Sequence, residues 1–229
     1  MATHTGFSPV HNRDIDALPL RERKKIQTGI KIWRTAIGLF AAKGFDQVSV
    51  AEIAAAAEIS KMTVFNYFPT KEDLVMAPME QHLGEPARVV RERAPGASAV
   101  TALREHYLAA LAAFDPATGL NDDQVVLDVV RLVHHTPALA MRATAGFGRE
   151  AQAQLTAELL AQDPAHDEFV ARVAGAQLLA TRLTLTTENQ VRMLAGECAA
   201  DALPEALDRA RRAFDLVERG LGDYCADTP

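Results

Sequence analysis

Lys61 and Lys71 each sit one residue after a side chain suited to opening a helix, Ser60 and Thr70, in the stretch SKMTVFNYFPTKEDL. The first turn of a helix carries unpaired N–H groups and a partial positive charge, so a cation there is misplaced by a few tenths to ~1 kcal/mol unless an anion shares the site. Two such lysines therefore point to anion binding, with backbone N–H groups and an ammonium acting on one ligand. Other chemistry is poorly represented. There is no Gly-rich phosphate loop, GxSxG, HExxH or motif-set carboxylate pair, which argues against a helical enzyme and leaves no cofactor expected. His82, His106, His134 and His135 lack metal-motif spacing, and Cys198 and Cys225 form no CxxC, so no metal is expected either.

The elements that must position the lysines are helices. Ile26, Ile30, Trp33, Ile37 and Phe40 recur at helical spacing and Gly44 supplies a stop. Ser49 and Glu52 form a capping-box pattern that opens a second helix, running to about Ala57. Glu58-Ile59 leaves room for a turn only, Ser60 caps a third helix, and Pro69 closes it. Thr70 and Asp73 repeat the capping pattern for a fourth. Short helices joined by a turn of about three residues are a helix-turn-helix. On the third helix, Val64 and Phe68 share one face, Phe65 and Tyr67 flank it, and Met62, Thr63 and Asn66 point away. That free face suits a major groove, and the anion beside both lysines is then a DNA phosphate.

Charge is permissive. The chain of 229 residues carries net charge -6 with 48% apolar residues, enough for a buried core. Residues 1–75 hold 10 Lys and Arg against 8 Asp and Glu, and the remainder 14 against 22; every lysine lies in the first third. No run approaches the ~20 apolar residues of a membrane span, and the opening MATHTGFSPVHNRD lacks the apolar centre of a secretory signal. A cytoplasmic protein with no membrane partner is expected.

Residues 26–74, IQTGIKIWRTAIGLFAAKGFDQVSVAEIAAAAEISKMTVFNYFPTKEDL, resemble the DNA-binding head of the tetracycline-repressor (TetR) family of bacterial transcriptional regulators. The resemblance rests on LF-A--G-F, on Val-Ser with the I-A-A run, and on S-K-x-T-Φ-Φ-x-Y-F-P-x-K-E. It implies an all-α homodimer whose head reads double-stranded operator DNA and whose body binds a small effector, most simply as a repressor. By position it assigns Ser49, Thr63, Tyr67 and Lys71 to phosphates and Lys61, Met62, Phe65 and Asn66 to base edges. Glu58 replaces a frequent turn glycine, Met62 a small residue and Phe65 a tyrosine. The basic run Arg21–Lys25 reads as the solvated start of helix 1 or as a minor-groove arm.

The expected organisation is a tail at 1–20, a helix-turn-helix domain at 21–75, and a body at 76–229. In the body, helix 4 continues toward Arg93, kinked near Pro78 or ended near Gly84 and Pro86. Further helices start at Ser98, at Asn121 (a central helix, apolar all round), at Thr136-Pro137 and at about Asp167, and the last starts near Pro204. Leu207, Ala210, Phe214, Val217 and Leu221 step by 3 and 4 along that last helix and are assigned to the dimer seam, and the resemblance, which implies that the last two helices pair, extends dimerisation over 167–221 to include the long helix at 167–194. Candidate effector contacts are Tyr107, Phe114, Leu127, Arg131, His134, Met141, Phe147 and Arg182, an apolar set with a few polar groups that suits an apolar or amphipathic ligand. A DNA binder that answers to no ligand is the remaining rival.

Overall fold

The computed structural model describes residues 18–163 and 167–221; the tail assigned to 1–20 falls largely outside them. Among the described residues every regular element is helical. Two compact units emerge. Of the described residues, the first comprises 18–81 together with 124–143, the second 82–123 together with 144–163 and 167–221. This division differs from the expected one: the boundary moves from 75 to 81, and residues 124–143 join the head.

In the first unit, α1 (Leu20–Lys43) lies against α2 (Val50–Ala56), α4 (Asp73–Glu80) and α7 (Gln124–His135), while α3 (Lys61–Tyr67) lies against α2. Trp33, Ile37 and Phe40 are buried on α1 as their spacing requires, and Gly44 ends the helix at φ +88 with its N–H on Phe40 O. Ser49 caps α2 by accepting from Glu52 N. The return half of that box is not made, because the Glu52 carboxylate pairs with Lys43. The α2–α3 turn is closed by Glu58 N on Ala55 O and Ile59 N on Ala54 O, with Glu58 at φ +57. That is the left-handed cap usually given to glycine. Fold and turn length thus agree with the sequence.

α7 is a correction. It buries Val126, Leu127, Val129 and Leu132 but exposes Gln124, Arg131, His134 and His135, so it is a two-faced helix and not a central one. It also starts at Gln124, because Asn121 accepts from Asp123 N in a tight turn instead of capping the helix. The helix expected from Thr136 to Gln162 is broken as well: α8 (Pro137–Met141) runs into one π turn (Arg142–Phe147) before α9 (Gly148–Gln162).

In the second unit, helix 4 does not continue. A turn at 81–84 precedes α5 (Glu85–Arg91), with Pro86 in its first turn, where a missing N–H costs nothing. α6 (Ala99–Ala112), capped by Ser98, packs against α11 (Ala199–Leu221), and α10 (Glu168–Leu194) packs against α9 and α11. The short 3-10 turn Pro116–Thr118 rests on α10: Asn189 donates to Thr118 O at 2.9 Å, and a Cβ added at Gly119 would lie 2.3 Å from Thr186 O. α11 begins at Ala199, five residues before Pro204, because Asp122 Oδ2 accepts its first free N–H at 2.9 Å.

Candidate functional site

α3 is positioned by two anchors. Val64 and Phe68 are buried, Thr63 and Tyr67 are half-buried, and Lys61, Met62, Phe65 and Asn66 are exposed. Burying two residues out of eight commits the helix to α2 and leaves a continuous outward strip. Met62 is 68% exposed, unusual for so apolar a side chain unless a partner covers it. The Lys61 ammonium lies 5.7 Å from the Phe65 ring centroid, so the strip pairs a cation with an aromatic edge. Ser60 Oγ accepts from Thr63 N at 3.0 Å and shares a hydrogen bond with Thr63 Oγ1, which fixes the first turn. Ser49 is exposed at the start of α2.

Lys71 has partners within the chain. Its ammonium donates to Val48 O at 3.0 Å and lies 4.4 Å from the Phe45 centroid, in a half-buried position. The cation needs no external anion, because a carbonyl and an aromatic face already accommodate it. It also stands ahead of α4, which begins at Asp73, although Thr70 and Asp73 do exchange hydrogen bonds as a capping box. Asp73 further accepts from Arg142 Nη2 at 2.6 Å, and Glu80, in the last turn of α4, binds the same guanidinium. Burial pushes the Asp73 carboxyl upward, but the hydrogen bonds of Thr70 and Arg142 outweigh it and hold it below its ordinary value.

The eight residues assigned to the effector do not fall in one unit. Leu127, Arg131, His134 and Met141 belong to the first; Tyr107, Phe114, Phe147 and Arg182 belong to the second. Leu127 is buried core, Arg131 pairs with Asp128 at 3.1 Å on the surface, and His134 and Met141 are exposed. Tyr107 is buried; its hydroxyl donates to Thr118 O at 3.3 Å, its ring lies 6.0 Å from that of Phe214, and burial pushes the phenol up to about 12. Phe114 holds φ +52 just past the end of α6, and Phe147 is half-buried at the end of the π turn.

Arg182 leads to a group the sequence did not reveal. Its Nη2 donates to Glu85 Oε2 at 2.8 Å, while Glu85 Oε1 faces His82 Nδ1 at 3.4 Å and His106 Nε2 at 3.7 Å. Burial raises the Glu85 carboxyl, yet the His82 hydrogen bond and the Arg182 charge prevail and bring it to about 2. His82 is raised by that same hydrogen bond, and His106 is lowered by burial. Only the i, i+3 spacing of His82 and Glu85 on a helix start hinted at this. His106 and Arg182 arrive from distant helices.

The family profile of the bacterial regulatory proteins, tetR family, matches residues 32–77, the segment from the core of α1 to the middle of α4. The head is thus similar to that of the tetR-family regulators. TcmR, an HTH-type transcriptional regulator of Streptomyces glaucescens, is 29% identical over 121 residues, 52% of this chain and 54% of TcmR, so the match spans about half that relative's length. Salmonella enterica GusR has the same fold at TM-score 0.54 with 20% identity, covering 85% of this chain and 95% of GusR. The transcriptional regulator FadR of Bacillus subtilis, solved with stearoyl-CoA, gives TM-score 0.50 and 16% identity over 82% of this chain and 96% of FadR.

The dimer seam assigned to α11 faces inward. Ala210, Phe214 and Val217 are buried within the single chain, Leu207 is half-buried, and α11 packs against α6; the side chain of Leu221 lies outside the described residues. The 3-4 spacing was a true packing signal whose partner is intramolecular. On α10, by contrast, Phe169, Leu183 and Val191 are exposed by 69%, 61% and 58%, so a large apolar stripe is left uncovered on that helix. No described helix is long and apolar enough to cross a membrane.

Proposed function

We propose that this chain is a ligand-responsive transcriptional regulator, most simply a repressor, which binds a palindromic operator as a dimer and is released by a small apolar or amphipathic effector. The observation that carries the reading is the division of α3 into a two-residue buried anchor and an exposed strip of Lys61, Met62, Phe65 and Asn66. Asn matches adenine N6/N7, Lys matches guanine O6/N7, and Met or Phe edges match a thymine methyl. The stearoyl-CoA held by FadR supports a body that takes small molecules. The effector acts only through differential affinity: a 100-fold loss of operator binding needs about 2.7 kcal/mol of coupling, and the operator must weaken effector binding by the same factor.

Dimerisation is assigned to α10. Phe169, Val173, Ala176, Ala180, Leu183, Thr187 and Val191 step by 4, 3, 4, 3, 4, 4, the seam a second helix requires. Leu183→Arg is expected to give folded monomers by sedimentation, whereas Phe214→Arg, at a wholly buried position, prevents folding. The DNA reading is tested by band shift on the DNA upstream of the gene. Asn66→Ala should relax preference at particular bases by ~1–3 kcal/mol. A uniform loss at every base would remove Asn66 from base readout.

A further inference from the structure

We propose that the Arg182 cluster is an anion site, and that it takes the carboxylate of the effector. This rests on the effector reading above and narrows it from any amphipathic molecule to an organic acid. One carboxylate, Glu85, serves three basic side chains there, Arg182, His82 and His106. The Arg182 side chain is only 14% exposed, and its Nη1 is buried without any hydrogen-bond partner. The same is true of His106 Nδ1. A guanidinium N–H pair withdrawn from water and left unmatched carries its full desolvation cost, and folded proteins rarely leave such a group idle.

The surrounding chemistry favours an acid. Glu85 is shared among Arg182, His82 and His106, so the guanidinium does not have a carboxylate to itself. A cation is opposed by Arg182, and a neutral ligand answers its unpartnered Nη1 less strongly than a carboxylate does. One turn from His106 and Arg182 on the same helices, Leu103, Leu178 and Leu185 are buried. A neighbouring hydroxyl pair, Tyr107 and Thr186 at 3.4 Å, extends the polar set one turn along α10.

The test is calorimetry on the full chain with sodium carboxylates from acetate to decanoate, each paired with its alcohol. At least one acid should bind saturably and about tenfold or more tightly than its alcohol, and Arg182→Gln should erase that preference while Arg182→Lys keeps part of it. Should Arg182→Gln fail to fold, Glu85→Gln serves instead: losing the competing internal carboxylate should tighten acid binding. No acid bound, acid and alcohol bound alike, or weaker acid binding by Glu85→Gln overturns the proposal. Operator band shifts separate the two readings. An acid that binds through Arg182 without altering operator affinity supports the site and overturns the effector reading; a compound that releases operator equally from wild type and Arg182→Gln does the reverse.

Discussion

Two arginines, one in each unit, sit against carboxylates in opposite proportions. Arg142 meets two, Asp73 in the first turn of α4 and Glu80 in its last; Arg182 meets one, and that one is shared with two histidines. The first arrangement is anion-rich and spans a helix end to end, so it braces α4. The second divides one carboxylate among three basic side chains and keeps a buried donor unmatched. Similar residue types therefore give a strut in one place and a receptor in the other, and stoichiometry decides which.

The largest expected effect breaks the second cluster. Glu85→Ala removes the shared carboxylate and strands a mostly buried guanidinium, costing about 3 kcal/mol or more in urea denaturation. If the site accepts anions, acetate should restore part of that loss. Arg142→Ala should cost less, about 1–2 kcal/mol, because Asp73 and Glu80 keep 15% and 28% exposure and can turn toward water. No small anion should rescue it. Equal rescue of both variants would erase the distinction drawn between the two clusters.

Acid sharpens the contrast next. Glu85 is lowered from 4.5 to about 2, so its contribution is fully present above pH 4.5 and disappears as pH falls toward 2. Glu85→Gln should flatten that limb of the stability curve. His82 works in the opposite sense: raised above 6.5, it contributes below that value and loses its contribution as pH climbs through the raised pKa. His82→Gln should remove this alkaline loss.

The smallest effect extends the comparison to the backbone. Both units close a helix with a non-glycine residue in the left-handed region, Glu58 at φ +57 and Phe114 at φ +52. Glu58→Gly should stabilise by about 1 kcal/mol, since its exposed side chain offers only a surface contact to Lys31. Phe114→Gly should gain less, because the half-buried ring is lost with the strain. Thermal midpoints of the two variants give the order directly.

The head was legible because its signals are local. Ser49, Ser60 and the Thr70–Asp73 pair cap where their spacing says they should, and Val64 and Phe68 anchor α3 as periodicity required. The body was less so because its signals name no partner. Phe214 repeats at the right interval for packing, but periodicity cannot tell a helix of the same chain from a helix of a second copy. α7 looked apolar all round because valines occupy its flanks, and the π turn at 142–147 leaves no mark in composition. The Glu85 cluster depends on four side chains from three helices and the turn before α5, which no spacing rule connects.

Lys71 carries a further consequence. Duplex DNA is wrapped in condensed cations, and each phosphate a protein neutralises sets some of them free, so the logarithm of affinity falls with the logarithm of salt by about 0.9 per phosphate neutralised. An ammonium already held by Val48 O and the face of Phe45 is expected to displace fewer of those cations than that of an exposed lysine such as Lys61. On the proposed reading, the steepness of that line counts how many lysines of the head remain available to the solvent.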